Sequence, residues 1–138
     1  MVKVKGEDRA GTQVIITKEG ILLIYHAVGE ISQEIGSLYG LSNCIERAYS
    51  VNLAILGPEN PYRILARTKY PLYVPLKSCE LYGSEKYPID VPVVVFLTGA
   101  IFIENKLLDH AVAGDKYIVL FSADINKLIE YMFRQNIR

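Results

Sequence analysis

The sequence predicts an α+β fold in a single domain covering residues 1–138, with a mostly antiparallel sheet built on two β-hairpins. The hairpins are predicted near residues 14–25 and 91–104, where a glycine-containing turn interrupts a run of β-branched and aromatic residues. A C-terminal helix is predicted near residues 123–136, because apolar residues recur there along one helical stripe. A second helix is predicted near residues 30–49.

The first hairpin has a turn at Lys18-Glu19-Gly20. A three-residue loop that ends in glycine pairs Ile16 with Leu22. Apolar residues then occupy both faces of the hairpin, which predicts a central position with other elements packed on each side.

The helix near residues 30–49 is predicted from spacing close to the helical period. Gly36 and Gly40 weaken this pattern, since each glycine costs about 1 kcal/mol relative to alanine within a helix. The apolar residues that follow the period are Ile31, Ile35, Leu38, Ile45 and Ala48.

Two strands are predicted next, at residues 51–56 and 63–69, on either side of a proline-rich loop. In the second strand Arg63, Arg67 and Lys69 alternate onto one face. This face is interpreted as the solvated side of an outer strand. The alternative interpretation is a cationic stripe that binds phosphate or an acidic partner.

The second hairpin is predicted to turn at Thr98-Gly99, with Gly99 in the left-handed position of a three-residue loop. This register places Asp90 opposite Lys106, with Glu104 on the same face. The three charged residues are therefore predicted to cluster at the open end of the hairpin.

The remaining chain is predicted as a short helix at residues 107–113, a strand at 116–121 and the final helix. Ser122 or Asp124 is predicted to cap that helix.

The overall composition excludes some classes of protein. Lys and Arg total 15, as do Asp and Glu, and this balance argues against a large nucleic-acid footprint. Cys44 and Cys79 form no metal-binding or disulfide framework, and the N-terminal residues lack the apolar core of a signal peptide. We therefore expect a cytoplasmic protein.

Asp90, Glu104 and Lys106 form the pattern D-x13-E-x-K across the predicted hairpin. This pattern is similar to the signature of the PD-(D/E)xK nuclease superfamily. The resemblance implies that Asp90 and Glu104 bind a divalent metal, usually Mg²⁺, and that Lys106 is the catalytic lysine. Carboxylate oxygens suit a hard cation, and the metal would activate a water molecule.

No complete catalytic site is evident elsewhere, and the two histidines are expected to be structural or exposed. The sequence therefore predicts a non-enzymatic interaction module, acting as a homo-oligomer or with a protein partner, and no cofactor. The alternative is a metal-dependent nuclease with Mg²⁺ and a nucleic-acid substrate.

Overall fold

A computed structural model describes residues 6–135 of the chain. Within these residues it contains eight strands and two helices. The elements in chain order are β1 (Gly6–Ala10), β2 (Ile15–Ile16), β3 (Ile21–Ile31), α1 (Gln33–Ser37), β4 (Ile45–Leu56), β5 (Ile64–Arg67), β6 (Val95–Ile103), β7 (Lys106–Ala113), β8 (Tyr117–Asp124) and α2 (Ile125–Arg134).

The strands form two antiparallel sheets. In the first, sheet A, the order is β1-β3-β4-β5, and β2 also pairs with β3. Its two central strands are long and rich in apolar residues, because both of their faces are largely covered. In the second, sheet B, β7 lies between β6 and β8.

The main core lies where sheets A and B meet α2. Side chains at alternate positions of β7 are buried, while those between them are more exposed, as expected for a strand with one covered face. Helix α2 covers this core with Ile125, Ile129 and Met132. Asp124 caps the helix, since its side chain accepts a hydrogen bond from the backbone N–H of Lys127 at 3.1 Å.

The predicted fold class is confirmed at a coarse level, as a small sheet-rich fold with antiparallel sheets and two helices. The C-terminal helix is confirmed over Ile125–Arg134, and residue 136 of the predicted range lies outside the described residues. The first hairpin is present, but Ile15 rather than Ile16 pairs with Leu22, so its register differs by one position.

The second predicted hairpin is wrong. Strand β6 continues through Thr98 and Gly99, with an irregularity in the ladder there, and the chain turns instead after Ile103. Gly99 lies beside the adjacent strand, where a Cβ atom would be 2.5 Å from Cε1 of the His110 ring. The segment predicted as a short helix at residues 107–113 is part of β7, and it supplies the pairing partner of β6.

The predicted helix over residues 30–49 is mostly wrong as well. Only Gln33–Ser37 is helical; Leu38 is the C-cap, and Gly40 in the following turn has a positive φ of 80°. Ile31 and Ile45, which follow the helical period in sequence, are cross-strand partners in sheet A. Within residues 6–135 no helix is long and apolar enough to cross a membrane.

Candidate functional site

His26 joins the two sheets. Its side chain is fully buried, its Nδ1 atom lies 3.2 Å from the carbonyl oxygen of Ala10, and its Nε2 atom lies 2.8 Å from the backbone nitrogen of Leu97. Because the Leu97 N–H donates to Nε2, the ring proton sits on Nδ1 and is donated to Ala10. Burial lowers the pKa of His26, which keeps the ring neutral at physiological pH.

Two aromatic rings and a guanidinium group continue outward from this histidine. The Phe96 ring stacks on the His26 ring with centroids 4.3 Å apart, and Tyr49 meets Phe96 edge to face at 6.1 Å. The Arg9 guanidinium carbon lies 5.9 Å from the centre of the Tyr49 ring, within cation–π range. We call these four residues the aromatic junction. It combines half-buried ring faces with a cation at the place where the two sheets meet.

A groove lies on another part of the surface, between α2 and the loops that follow α1 and β5. It has a volume of about 680 Å³ and contains Tyr39, Tyr70 and Tyr131. The Tyr39 hydroxyl donates to the carbonyl oxygen of Pro71. Burial, with smaller contributions from Tyr131 and Tyr70, raises the pKa of Tyr39 to about 12, so the phenol stays protonated. We call this surface the tyrosine groove.

A smaller cavity of about 220 Å³ lies between the two sheets and α2. Its walls are apolar except for Tyr73, Asp109 and Ser122. Asp109 is only 5% exposed, and its Oδ1 atom has no hydrogen-bond partner among residues 6–135. Burial raises the pKa of Asp109 to about 7. The cavity shares Leu72, Ala123 and Leu128 with the tyrosine groove, so the two spaces adjoin.

Glu80 organises the long connection between the sheets. Its carboxylate is fully buried and accepts hydrogen bonds from the Tyr73 hydroxyl at 2.7 Å and from the backbone N–H groups of Leu76 and Lys77 at 2.9 Å each. Burial and this hydrogen bond raise the pKa of Tyr73. The carboxylate is well satisfied, and it acts as a fixed anchor for the loop.

The structure does not bring the predicted metal-site residues together. Asp90 lies beside the β7–β8 turn, where its backbone N–H donates to Gly114 and its carboxylate is 3.8 Å from the Lys116 ammonium. Glu104 lies in the β6–β7 turn at the other end of the sheet, and Lys106 begins β7. The length of β7 separates Asp90 from Glu104 and Lys106 by about 25 Å at ~3.3 Å per residue, so the two carboxylates are too far apart to share one metal ion.

The predicted cationic stripe is divided among three different surroundings. Arg63 lies in the exposed loop before β5, and its carbonyl accepts a hydrogen bond from Gly57. Arg67 is half-buried near Tyr25; burial and the charge of Asp8 raise the pKa of that phenol, and Arg67 offsets part of the effect. The Lys69 ammonium lies 5.1 Å from the centre of the Tyr70 ring, at the edge of the tyrosine groove.

Comparison with known families finds a match to a family of carbohydrate-active enzymes. Residues 7–134 match the model of the Glyco_hydro_130 family, described as beta-1,4-mannooligosaccharide phosphorylase. The chain belongs to the GH130 family. No curated protein sequence matches the chain significantly.

Solved structures agree with the GH130 fold. The beta-1,2-mannobiose phosphorylase of Listeria innocua, solved with beta-1,2-mannobiose, is 24% identical with a TM-score of 0.74, and the match covers 95% of this chain and 31% of that one. A glycosyl hydrolase from Bacteroides ovatus is 24% identical with a TM-score of 0.63, covering 86% and 30%. The chain thus spans about a third of the length of these proteins.

A third structure has a TM-score of 0.65 at 20% identity and covers 86% of this chain and 30% of its own. It is described as belonging to the GH130 family of mannoside phosphorylases, which contains glycoside hydrolases that target beta-1,2 mannosidic linkages in Candida mannan.

Membership of GH130 overturns both functions predicted from the sequence. The prediction of a non-enzymatic interaction module is wrong, because the family consists of enzymes that act on carbohydrates. The nuclease alternative is wrong for the same reason. The residues of the nuclease pattern lie at opposite ends of sheet B, with Asp90 beside Gly114 and Glu104 in the β6–β7 turn.

Sequence reasoning missed the residues that structure singles out. Phe96, Tyr49 and Arg9 gather through contacts between segments far apart in the chain, so no local pattern marks them. The sequence around Asp109 does contain a signal for its burial. Side chains alternate along a strand, so in β7 Asp109 lies on the same buried face as Leu107 and Ala111. The helical interpretation of that segment concealed it.

Proposed function

We propose that this GH130 chain contributes to an enzyme that cleaves mannosidic linkages by phosphorolysis. The observation that carries the proposal is the family match, which extends over residues 7–134. In the reaction, the bond between the anomeric carbon and the glycosidic oxygen breaks, and an oxygen of inorganic phosphate bonds to that carbon. The glycosidic oxygen gains a proton, so the products are mannose 1-phosphate and a shortened sugar.

The aromatic junction is the surface we assign to substrate contact. Phosphorolysis requires an anion held beside a sugar ring, and a guanidinium is suited to phosphate because it donates several hydrogen bonds in one plane. Arg9 supplies that group next to Tyr49, whose ring is half-buried and offers an apolar face to a sugar. The buried hydrogen bonds of His26 hold Phe96 and the neighbouring strands in place.

Sheet B also offers a surface for a protein partner or a second copy of the chain. Ile101, Ile118 and Leu120 lie on its outer face and are 58%, 81% and 71% exposed. Large apolar side chains grouped on one exposed face are typical of a surface that another polypeptide covers. We therefore propose that the active enzyme includes a further polypeptide surface packed on sheet B.

The test combines binding and turnover. The purified chain is mixed with β-1,2- or β-1,4-mannobiose and phosphate, and mannose 1-phosphate is followed by phosphorus NMR, while mannobiose binding is followed by protein NMR. We expect binding at the aromatic junction that Tyr49→Ala weakens at least tenfold. The matched control is Tyr62→Ala, because Tyr62 is 98% exposed and far from any core packing.

Hydrolysis is the second candidate, because GH130 contains glycoside hydrolases. Release of free mannose that is independent of phosphate, with ¹⁸O from labelled water at the anomeric carbon, would identify hydrolysis. Absence of both mannobiose binding and cleavage would overturn the proposed function. Binding that Tyr62→Ala weakens as much as Tyr49→Ala does would overturn the assignment of the aromatic junction.

A further inference from the structure

The cavity around Asp109 is a built space inside the fold. Strands from both sheets, helix α2 and the loop after β5 all contribute to its walls, so its shape does not depend on one mobile segment. Most of the wall is aliphatic or aromatic, with side chains such as Ile24, Leu53, Leu97 and Phe121. The tyrosine groove adjoins this space, and Leu128 lines both.

The carboxyl of Asp109 is anomalous in such a place. A buried polar atom without a hydrogen-bond partner destabilises a fold, so native structures rarely keep one without a reason. Asp109 Oδ1 is buried and has no partner within the described residues. A hydrophobic residue at this position would pack against the same walls without that cost.

Water alone is a poor partner here. A buried water is held by two to four polar groups. Of the other polar lining residues, Ser122 lies on the opposite face of sheet B from Asp109, and the Tyr73 hydroxyl already donates to Glu80. A water bonded to Asp109 would therefore face apolar walls on most sides.

A mannoside is also a poor occupant. Each sugar carries several hydroxyl groups, and apolar walls would leave most of them without partners. The space suits a molecule with an apolar body and one polar end, so this site is separate from the surface assigned to mannosides.

We propose that this cavity is a binding site for a small alcohol or phenol, whose hydroxyl group donates to Asp109 and whose hydrocarbon body fills the apolar space. The ligand size follows from volume. A cavity of 150 Å³ is known to hold benzene, so a space of about 220 Å³ accommodates about nine non-hydrogen atoms.

A neutral ligand is favoured over an amine. Burial disfavours the ionised form of Asp109, and an ammonium ligand would have to lose its own hydration to form a buried ion pair. A hydroxyl group can donate to the carboxyl oxygen and accept from the protonated acid, so it forms hydrogen bonds with either form without introducing a charge.

The test uses two ligands of the same size, benzyl alcohol and ethylbenzene, on the full chain. Methyl groups of Leu53, Leu97 and Leu107, which line the cavity, are followed by NMR during titration. We expect benzyl alcohol to shift these signals with a dissociation constant of about 1 mM or tighter. Ethylbenzene, which lacks the hydroxyl, should bind at least fivefold more weakly.

Variants separate the role of the carboxyl from that of the cavity. Asp109→Ala removes the acceptor and enlarges the space, so ethylbenzene should then bind at least as tightly as benzyl alcohol. Asp109→Asn keeps an oxygen acceptor and should retain the preference for the alcohol, which provides a second variant if the alanine form does not fold. Asp115→Asn, at an exposed turn position, is the matched control and should change neither affinity.

Three outcomes would overturn the proposal. If neither ligand shifts the lining methyl signals, the cavity holds only water. If the two ligands bind equally to the unmodified chain, the carboxyl takes no part in recognition. If benzylamine binds more tightly than benzyl alcohol, the assigned ligand class is wrong. None of these outcomes concerns mannoside cleavage, so the proposed function stands or falls separately.

Discussion

The Nε2 atom of His26 accepts a hydrogen bond from the backbone N–H of Leu97, across a separation of 71 residues. With the Nδ1 contact to Ala10, this one side chain connects β1 and β3 of sheet A to β6 of sheet B. Both ring nitrogens are used, and the ring face packs on Phe96. The aromatic junction is therefore built on a neutral, doubly hydrogen-bonded histidine.

Replacement of His26 by alanine should strongly destabilise the fold. It would leave the Leu97 N–H and the Ala10 carbonyl without their partner and would open a cavity beside Phe96. We expect a loss of about 3 kcal/mol in the free energy of unfolding, measured by urea denaturation. His26→Gln, which retains a donor and an acceptor, should lose less. Equal losses for the two variants would show that the hydrogen bonds contribute little.

The same histidine should make the fold sensitive to acid. Because burial lowers its pKa below the ordinary value of 6.5, the unfolded chain takes up a proton at a pH where the folded chain does not. The contribution of neutral His26 to the free energy of unfolding is fully present above pH 6.5, and it is lost as the pH falls toward the lower pKa of the folded state. Denaturation curves between pH 8 and 5 should show a steeper loss for the unmodified chain than for His26→Gln. Parallel curves would contradict this prediction.

Asp109 should make the fold less stable as the pH rises, which is the opposite of the effect of His26. Burial raises its pKa from 3.8 to about 7, so the folded state binds the proton more tightly than the unfolded state. Its contribution is fully present below pH 3.8 and is lost as the pH rises through 7. Asp109→Asn cannot ionise, so its stability relative to the unmodified chain should rise by about 3 kcal/mol between pH 5 and pH 8. Asp115→Asn should show no comparable change, and a flat difference for Asp109→Asn would refute the prediction.

Helix α2 could be predicted from sequence because its signals are local. The apolar stripe of Ile125, Ile129 and Met132 lies within one segment, and the capping residue Asp124 directly precedes it. Nothing outside residues 123–135 is needed to specify the element. The same reasoning explains why strand β8, a short apolar segment before the cap, was also located correctly.

The second hairpin could not be predicted because its turn depends on pairing between strands. Thr98-Gly99 carries the stronger turn signal, yet the chain turns where Glu104 adopts a positive φ of 55°. At Gly99 the His110 ring of the adjacent strand lies where a Cβ atom would be, a contact known only once the register is known. The misplaced turn led directly to the predicted cluster of Asp90, Glu104 and Lys106.

The aromatic junction was beyond local reasoning for a related reason. Tyr49 lies in a segment whose spacing fits a helix, but that segment is the beginning of β4 and pairs with β3. If the segment is interpreted as a helix, Tyr49 is not placed in the sheet, and its contact with Phe96 cannot be predicted. His26 was expected to be either structural or exposed, and the structure shows it buried and hydrogen-bonded within β3.

Gly114 should be intolerant of a side chain. Its φ of 58° is in the left-handed region, and a Cβ atom there would lie 2.6 Å from the backbone carbonyl oxygen of Cys79. Gly114→Ala should therefore lose both the conformational advantage of glycine and the close packing of the loop, for a total of about 3 kcal/mol. Thermal denaturation of the variant measures this loss.

Gly40→Ala is the matched control for that change. Gly40 also has a positive φ, of 80°, but nothing lies within 4 Å of its hypothetical Cβ atom. Its substitution should cost about 1 kcal/mol, from backbone conformation alone. If the two alanine variants lose equal stability, the contact between Gly114 and Cys79 is not a constraint.

Glu80 should fix the loop between the sheets rather than the sheets themselves. Glu80→Ala leaves the Tyr73 hydroxyl and the backbone N–H groups of Leu76 and Lys77 without their shared acceptor, and we expect a loss of about 3 kcal/mol. Glu80→Gln retains one acceptor oxygen and should lose about half as much. Glu85→Gln, on an exposed residue of the same loop, is the control and should be neutral.

Hydrogen exchange at the Leu76 and Lys77 amides tests whether the role of Glu80 is local. These amides should exchange much faster in Glu80→Ala, while the exchange of the β7 amides should follow global stability. Uniform acceleration across both regions would mean that Glu80 stabilises the whole fold and not this loop.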